Sequence, residues 1–248
     1  TRRFCDNELK RFGVETTYYD PLIGAGIASL IKPNTKVVYI ESPGSLTFEV
    51  QDIPAIAKEA HKKNAVVISD NTWGTLLYSK PFELGVDVSI HSATKYISGH
   101  SDLVMGTIAC RSKHYKPLIF AYRDMGACPS ADNCYLAHRG LHTMGVRLKQ
   151  QYENALGIAK WLKARPEIEE VLYPALPGAP GHDLWKRDFT GGASLFAIAL
   201  KSGSKKNVAA MVDDMELFGL GYSWGGYESL IMPLNLKQRT ATKWPYGG

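Results

Sequence analysis

The sequence predicts an α/β fold built on a mostly parallel mixed sheet, and two observations carry that prediction. The first is a series of short apolar runs at residues 36–40, 65–69, 86–90 and 104–110, which lack a strict alternation of polar and apolar positions. Such runs are typical of strands in a sheet that is covered on both faces. The second is a helical pattern at 52–63 between the first two runs, which completes a β-α-β unit.

The predicted helix at 52–63 has the expected start signals of an amphipathic helix. Asp52 can accept a hydrogen bond from the first turn, and Pro54 lies in that turn, where no backbone donor is needed. Its apolar positions recur at helical spacing, and they are Ile53, Ile56, Ala57 and Ala60. We therefore expect this helix to cover one face of the sheet.

The second half of the chain has a different pattern of predicted helices and strands from the first half. A long helical pattern covers about 132–164 and ends before Pro166, and three glycines, at 140, 145 and 157, are expected to weaken or bend it. A turn-rich stretch at 171–181, a strand at 193–200 and a short helix at 207–218 follow. We place a domain boundary inside the long helix, so that a large α/β domain spans 1–145 and a smaller α+β domain spans 146–248.

Composition excludes several classes of protein. The chain has 248 residues with 29 Lys and Arg against 24 Asp and Glu, and these charges are scattered rather than gathered into a nucleic-acid patch. Apolar runs such as 195–200 are far shorter than the ~20 residues of a membrane span. The four cysteines form no CxxC pair, so neither a disulfide scaffold nor a metal centre is expected. A cytoplasmic protein that binds neither nucleic acid nor membrane fits best.

Polar clusters at 41–45, 70–73 and 91–95 follow three successive strands, where ligands bind in open α/β sheets. Asp70 ends the second strand, and Ser92, Thr94 and Lys95 follow the third. A lysine can form a Schiff base with an aldehyde, hydroxyl groups can donate to a phosphate, and a carboxylate can pair with a protonated ring nitrogen. Together these groups are the parts of a pyridoxal-phosphate site.

Taken singly, each of these residues has a simpler interpretation. A lysine after a strand usually lies on the surface, and an aspartate there usually caps a helix or forms a turn; the spacing of 25 residues between Asp70 and Lys95, one β-α step, favours the joint interpretation. A zinc site is not predicted. His138 and His142 share a helix face, but Arg139 stands where the metalloprotease motif has glutamate.

Three motifs, at 69–73, 92–96 and 99–102, resemble the Cys/Met-metabolism family of pyridoxal-phosphate enzymes, and the resemblance runs from Phe4 to Pro245. It implies the aspartate-aminotransferase-like fold (fold type I), with a seven-stranded sheet domain and a smaller C-terminal domain. It also implies pyridoxal 5'-phosphate as cofactor and a homotetramer made of two active dimers.

The resemblance also implies roles for individual residues. Lys95 would bind the cofactor covalently and carry the proton between substrate Cα and the leaving sulfur. Asp70 would pair with the pyridine nitrogen, whereas the phosphate and the substrate side would be contacted by two residues each: Ser92 and Thr94, and Ser223 and Trp224. No metal-binding residue is implied.

Two further motifs, at 41–45 and 222–229, are most similar to family members that eliminate homocysteine from cystathionine, leaving pyruvate and ammonia, a transsulfuration step of methionine biosynthesis. A γ-lyase or γ-synthase of the same family remains an alternative, and a non-catalytic truncated chain is an alternative of another class. The family's N-terminal cofactor contacts are expected before Thr1, and its carboxylate-binding arginine after Gly248. Arg239 matches no such motif.

Overall fold

The computed structural model describes residues 1–201, 203–234, 236, 239–243 and 245–246. The chain starts with α1 (Arg2–Phe4), which continues as a π-helical turn (Cys5–Leu9), and a 3-10 helix (Gly24–Ser29) precedes the first strand. The end of the predicted second domain, at 247–248, lies outside the described residues.

A four-stranded sheet forms the first half of the described chain. Its strands lie in sequence order: β1 (Val37–Glu41), β2 (Val66–Asp70), β3 (Val88–Ser92) and β4 (Gly106–Cys110). The first three are parallel, and β4 runs antiparallel to β3. The pairing sets Glu41 directly beside Asp70 at the end of the sheet. The mostly parallel mixed sheet is therefore confirmed.

The β-α-β unit predicted around residues 52–63 is confirmed. Helix α2 (Ile53–Lys62) connects β1 to β2, and the Asp52 carboxylate accepts a hydrogen bond from the Ala55 amide at 3.4 Å. The apolar side of α2 is buried in a single cluster with one face of the sheet, which contributes Val38, Ile40 and Val67. Because burial of a large aliphatic side chain contributes about 1.5–3 kcal/mol, this layer stabilises the sheet.

Within the described residues, α2 covers one face of the sheet, and cover on both faces stays a prediction. Burial alternates along β1 and β2, and α2 buries only one face. Tyr39 and Ile68 on the opposite face are only half-buried, and Ile108 in β4 is 60% exposed. The apolar runs predicted the four strands correctly. Apolar residues on the second face of a strand do not show which element packs against them.

Three helices follow in the middle of the chain: α3 (Thr75–Tyr78), α4 (Ser112–Asp124) and α5 (Ala131–Lys163). Helix α5 matches the long predicted helix and continues through its three glycines without a break. At Gly140 a Cβ would lie only 2.4 Å from the carbonyl oxygens of Ile97 and Ser98. This glycine therefore permits a close packing contact. The domain boundary near residue 145 falls inside α5 and stays a prediction.

The C-terminal elements are shorter than the sequence predicts. They are β5 (Ile168–Leu172), α6 (His182–Asp188), β6 (Ala197–Leu200), α7 (Lys205–Asp213), β7 (Gly219–Leu220) and β8 (Leu230–Ile231). Strand β6 pairs antiparallel with β5, a strand that the sequence analysis missed, and β7 pairs with β8.

Two boundary errors have physical causes. The strand expected from residue 193 begins only at Ala197, because Ser194 and Leu195 bond to the side chains of Tyr96 and Trp73 instead. The helix expected at 207–218 ends at Asp213, since adjacent aspartates at a helix C-terminus oppose the helix dipole. Within the described residues, no helix is long and apolar enough to cross a membrane.

Candidate active site

A cavity of about 280 Å³ opens at the carboxyl ends of the parallel strands. The strand ends contribute Glu41, Asp70 and Ser92 to its wall, and the loop after β3 contributes Lys95. Trp224, from the far end of the described chain, also lines it. The sheet edge thus brings together three of the predicted cofactor-binding residues and one of the two predicted substrate-side residues.

The Asp70 carboxylate is held in place by Thr72, two residues further along the chain. Its Oδ1 accepts hydrogen bonds from the Thr72 amide at 2.9 Å and the Thr72 hydroxyl at 2.5 Å. The same hydroxyl accepts a hydrogen bond from the Ser92 amide at 2.9 Å. Thr72 therefore holds the ends of β2 and β3 together and orients the carboxylate, although the sequence analysis gave it no role.

Lys95 lies in the loop that follows β3, three residues after the end of that strand, and lines the same cavity. Its Nζ donates a hydrogen bond to Ser223 Oγ at 3.0 Å and lies 5.1 Å from the ring centre of Trp224. Burial lowers the pKa of Lys95, because desolvation disfavours the charged ammonium. The amine is thus easier to deprotonate than an exposed lysine, which is what a nucleophile or base requires.

The loop that carries Lys95 is anchored in the core by its neighbour. Tyr96 is fully buried; its hydroxyl lies 2.9 Å from Ser194 Oγ and accepts a hydrogen bond from the Ser194 amide at 3.0 Å. Burial raises the pKa of Tyr96 to about 12, so the phenol stays neutral. Its ring centre lies 5.3 Å from that of Trp224, which joins the lysine loop to the wall of the cavity.

Thr94 occupies a different position from the other predicted phosphate contact. Its hydroxyl accepts a hydrogen bond from the Met105 amide at 3.0 Å and donates to the Met105 carbonyl at 3.3 Å. Ser92 lines the cavity, whereas these contacts direct Thr94 to the segment before β4. The phosphate-binding role of both residues stays a prediction.

A second carboxyl group stands beside Asp70. Burial raises the pKa of Glu41, against an opposing hydrogen bond from Ser45, and the neighbouring charge of Asp70 raises it further. In β3, burial lowers the pKa of His91 to about 4 although Asp70 favours its charged form. This histidine is therefore neutral at pH 7.

Trp73 is a cavity residue to which the sequence analysis assigned no role. Its indole Nε1 donates to the Leu195 carbonyl at 2.9 Å, and its ring makes edge contacts with Tyr173 and Phe189. The sign in the sequence that Trp73 belongs to the site was its position within the motif at 69–73. Through these contacts Trp73 fixes the C-terminal wall of the cavity against the end of β2.

Comparison of the chain with known protein families identifies the family to which it belongs. A family model described as Cys/Met metabolism PLP-dependent enzyme matches residues 1–243. The chain belongs to this family. The match covers the strand ends, the lysine loop and the segment that carries Ser223 and Trp224.

Sequence identity to individual proteins supports this assignment. The chain is 46% identical over 232 residues to cystathionine beta-lyase MetC of Escherichia coli (strain K12), covering 92% of this chain and 59% of that protein. It is 45% identical over 250 residues to the L-alanine/L-glutamate racemase of Wolbachia pipientis wMel, covering 100% of this chain and 62% of the racemase. The chain therefore spans about three fifths of the length of these relatives.

The fold is shared with solved structures of the family. The crystal structure of metB from Corynebacterium glutamicum superposes with a TM-score of 0.89 at 33% identity, covering 92% of this chain and 60% of that one. The aspartate-aminotransferase-like fold implied by the sequence motifs is confirmed at this level, because such a score over most of the chain requires the same arrangement of elements.

The residues present fit pyridoxal phosphate. Both hydrogen bonds to Asp70 use Oδ1, and within the described residues no hydrogen bond uses Oδ2, which is left to accept one from a ring nitrogen. The partly buried amine of Lys95 and the Ser92 hydroxyl face the same cavity. An aldehyde, a pyridine nitrogen and a phosphate would each find a partner of suitable chemistry there.

Proposed function

We propose that the protein containing this chain catalyses the pyridoxal-phosphate-dependent β-elimination of L-cystathionine to homocysteine, pyruvate and ammonia. The observation that carries the proposal is the contact between Lys95 Nζ and Ser223 Oγ beside Trp224, because Lys95 and Trp224 line the same cavity as Asp70. Similarity to a relative that is named cystathionine beta-lyase supports the choice of substrate.

Four residues of the site would hold the cofactor. Lys95 would bind its aldehyde carbon, Asp70 would accept the proton of its ring nitrogen, and Ser92 and Thr94 would contact its phosphate. Bound pyridoxal phosphate supplies an electron sink for negative charge that develops at substrate Cα. Asp70 strengthens that sink, because a nearby carboxylate favours the protonated ring.

Lys95 would act as the proton carrier of the reaction. When its Nζ is neutral it can remove the proton from Cα, and it can then deliver a proton to the sulfur that leaves Cβ. The hydroxyl of Ser223 accepts a hydrogen bond from Nζ at 3.0 Å and so limits the positions of the amine. The ring of Trp224, which packs against the buried Tyr96, lies beside the amine and forms an apolar surface on one side of it.

The remaining parts of the proposal concern the whole protein. We infer an amino-acid substrate, a homotetramer of two active dimers and a cytoplasmic location, which fit the family and its bacterial relative.

Product analysis with L-cystathionine tests the proposed reaction. The full-length protein loaded with pyridoxal phosphate should release homocysteine and pyruvate in equal amounts, and Lys95→Ala should release neither. Cysteine and 2-oxobutyrate as the main products would instead show a γ-lyase. No products from cystathionine or other amino acids, with the protein folded, would favour a non-catalytic chain.

A racemase is a second candidate, because the chain is 45% identical to a relative named L-alanine/L-glutamate racemase. Racemisation also begins with removal of the Cα proton, which Lys95 could perform, but it needs no departure of a group from Cβ. Incubation with L-alanine followed by chiral chromatography distinguishes the two. Rapid formation of D-alanine without attack on cystathionine would replace the β-elimination proposal.

A further inference from the structure

A segment at residues 222–228 lies directly on the loop that carries Lys95. At Gly225, where φ is +82°, a Cβ would lie 3.1–3.2 Å from the backbone of Lys95 and Tyr96. Such a contact is tighter than side chains normally accept, and the positive φ disfavours any other residue. The segment therefore touches the lysine backbone itself, and it carries Ser223 to the lysine amine.

One charge-assisted hydrogen bond ties the far end of this segment to the lysine loop. Ser101 Oγ donates to the Glu228 carboxylate at 2.7 Å, across 127 residues of sequence. This bond holds the pKa of Glu228 below its usual value. Between the two partners, a Cβ at Gly226 would lie 2.1 Å from Ser101 Oγ, so the contact has no spare room.

The backbone conformation of Ser101 is a second observation that supports its hydrogen bond to Glu228. Its φ of +57° lies in the left-handed region, which is unfavourable for a non-glycine residue and persists only where surrounding contacts impose it. Glycine would adopt this conformation freely but would offer no hydroxyl group. The serine thus combines an unfavourable backbone conformation with the hydrogen bond that the segment at 222–228 receives.

We propose that Ser101 and Glu228 are positioning residues: their hydrogen bond holds the segment at 222–228 on the lysine loop and thereby keeps Ser223 next to the amine of Lys95. The proposal rests on the proposed function only for its effect on turnover. Its effect on the titration of the lysine–cofactor linkage requires bound pyridoxal phosphate but no particular substrate.

Other contacts limit what loss of this bond can do. The Gln151 side chain donates to the Gly226 carbonyl at 3.1 Å from the side of α5, and Trp224 remains packed on Tyr96. The segment should therefore loosen around Ser223 without leaving the protein. A change confined to the site, with the global stability nearly unchanged, is the expected result.

The test compares Ser101→Gly, Glu228→Gln and the double variant in the full-length protein loaded with pyridoxal phosphate. Ser101→Gly suits the backbone, so it removes the hydroxyl without a folding defect. Glu169→Gln is the matched control for Glu228→Gln. Glu169 is exposed, and its substitution removes the same charge from the C-terminal part of the chain. The measurements are kcat and KM for cystathionine and the pH midpoint of the absorbance change of the lysine–cofactor linkage.

We expect Ser101→Gly to lower kcat by about 2- to 10-fold, the range that loss of one hydrogen bond produces, with a smaller change in KM. The pH midpoint should fall by about 0.3–1 unit, because the protonated nitrogen loses a fixed acceptor. Glu228→Gln should act in the same direction, and the double variant should match the stronger single variant.

Several results would overturn the proposal. These are an unchanged kcat and midpoint in folded Ser101→Gly, equal changes in Glu169→Gln, or independent, multiplying effects in the double variant. If the protein does not act on cystathionine, the pH midpoint alone still decides the matter, so failure of the proposed reaction is distinguishable from failure of the hydrogen-bond proposal.

Discussion

Gly140 offers a direct test of how the lysine loop is seated, through the substitution Gly140→Ala. The added Cβ would lie 2.4 Å from the carbonyl oxygens of both Ile97 and Ser98, which belong to the loop after Lys95. These obstacles are backbone atoms, so no side-chain rotation can relieve the collision. Arg147 would be disturbed as well, since its guanidinium donates to the carbonyls of Ile97 at 3.1 Å and Gly140 at 2.7 Å.

Two opposing terms set the size of the effect. Alanine is favoured over glycine inside a helix by about 1 kcal/mol. Overpacking of a filled site typically costs about 1–3 kcal/mol, and rigid backbone obstacles place Gly140→Ala at the upper end. The free energy of unfolding should therefore fall by about 2 kcal/mol, with overpacking prevailing over helix propensity.

Urea unfolding followed by circular dichroism measures this change, and the same helix supplies the control. Gly157 is exposed, and nothing lies within 4 Å of a Cβ built there. Gly157→Ala should stabilise the protein by up to about 1 kcal/mol through helix propensity alone. The reasoning fails if Gly140→Ala is as stable as the parent, or if both substitutions shift stability by the same amount in the same direction.

Three further outcomes are expected. Borohydride reduction of the protein loaded with pyridoxal phosphate should place the cofactor on Lys95, and finding it on Lys113 would refute the site. Asp70→Asn should slow turnover by roughly 10- to 150-fold, the equivalent of about 1.5–3 kcal/mol for a charge-assisted hydrogen bond; an unchanged rate would place the ring-nitrogen partner elsewhere. The pKa of His91 is about 4 in the fold, below its unfolded value, so unfolding takes up a proton and stability drops as pH falls below 6.5. We expect about 2 kcal/mol between pH 6.5 and 5 in urea titrations, and His91→Gln should remove that part of the pH dependence.

The sequence allowed good prediction wherever a local pattern determines the structure. The Asp52 cap, the apolar face of α2 and the strand ends that carry Asp70 and Lys95 all follow from neighbours in sequence, and the structure places them as expected. Motif similarity also directed attention to Ser223, which lies 128 residues from its partner, although its role still awaits a test.

What could not be predicted depends on contacts between distant segments. Nothing near Gly140 in the sequence shows that two carbonyl groups of another loop press against it. The hydrogen bond between Ser101 and Glu228 joins two ordinary surface residue types, and only the fold brings them together. The hydrogen bonds of the Thr94 hydroxyl to the backbone of Met105 are a further contact that no local pattern indicates, and the phosphate contact implied by its motif stays a prediction.

The distance along the chain between Lys95 and Ser223 has a consequence for biosynthesis. A ribosome that adds about 5–20 residues per second needs roughly 6–26 s to make the 128 residues between them. During that interval the sheet edge with Asp70 and Lys95 can form, but the wall with Trp224 does not yet exist. A nascent chain that captured the cofactor then would expose the lysine linkage to hydrolysis and to cellular amines. Stable loading should therefore be a late, post-synthetic event, and its timing would depend on the arrival of the C-terminal segments.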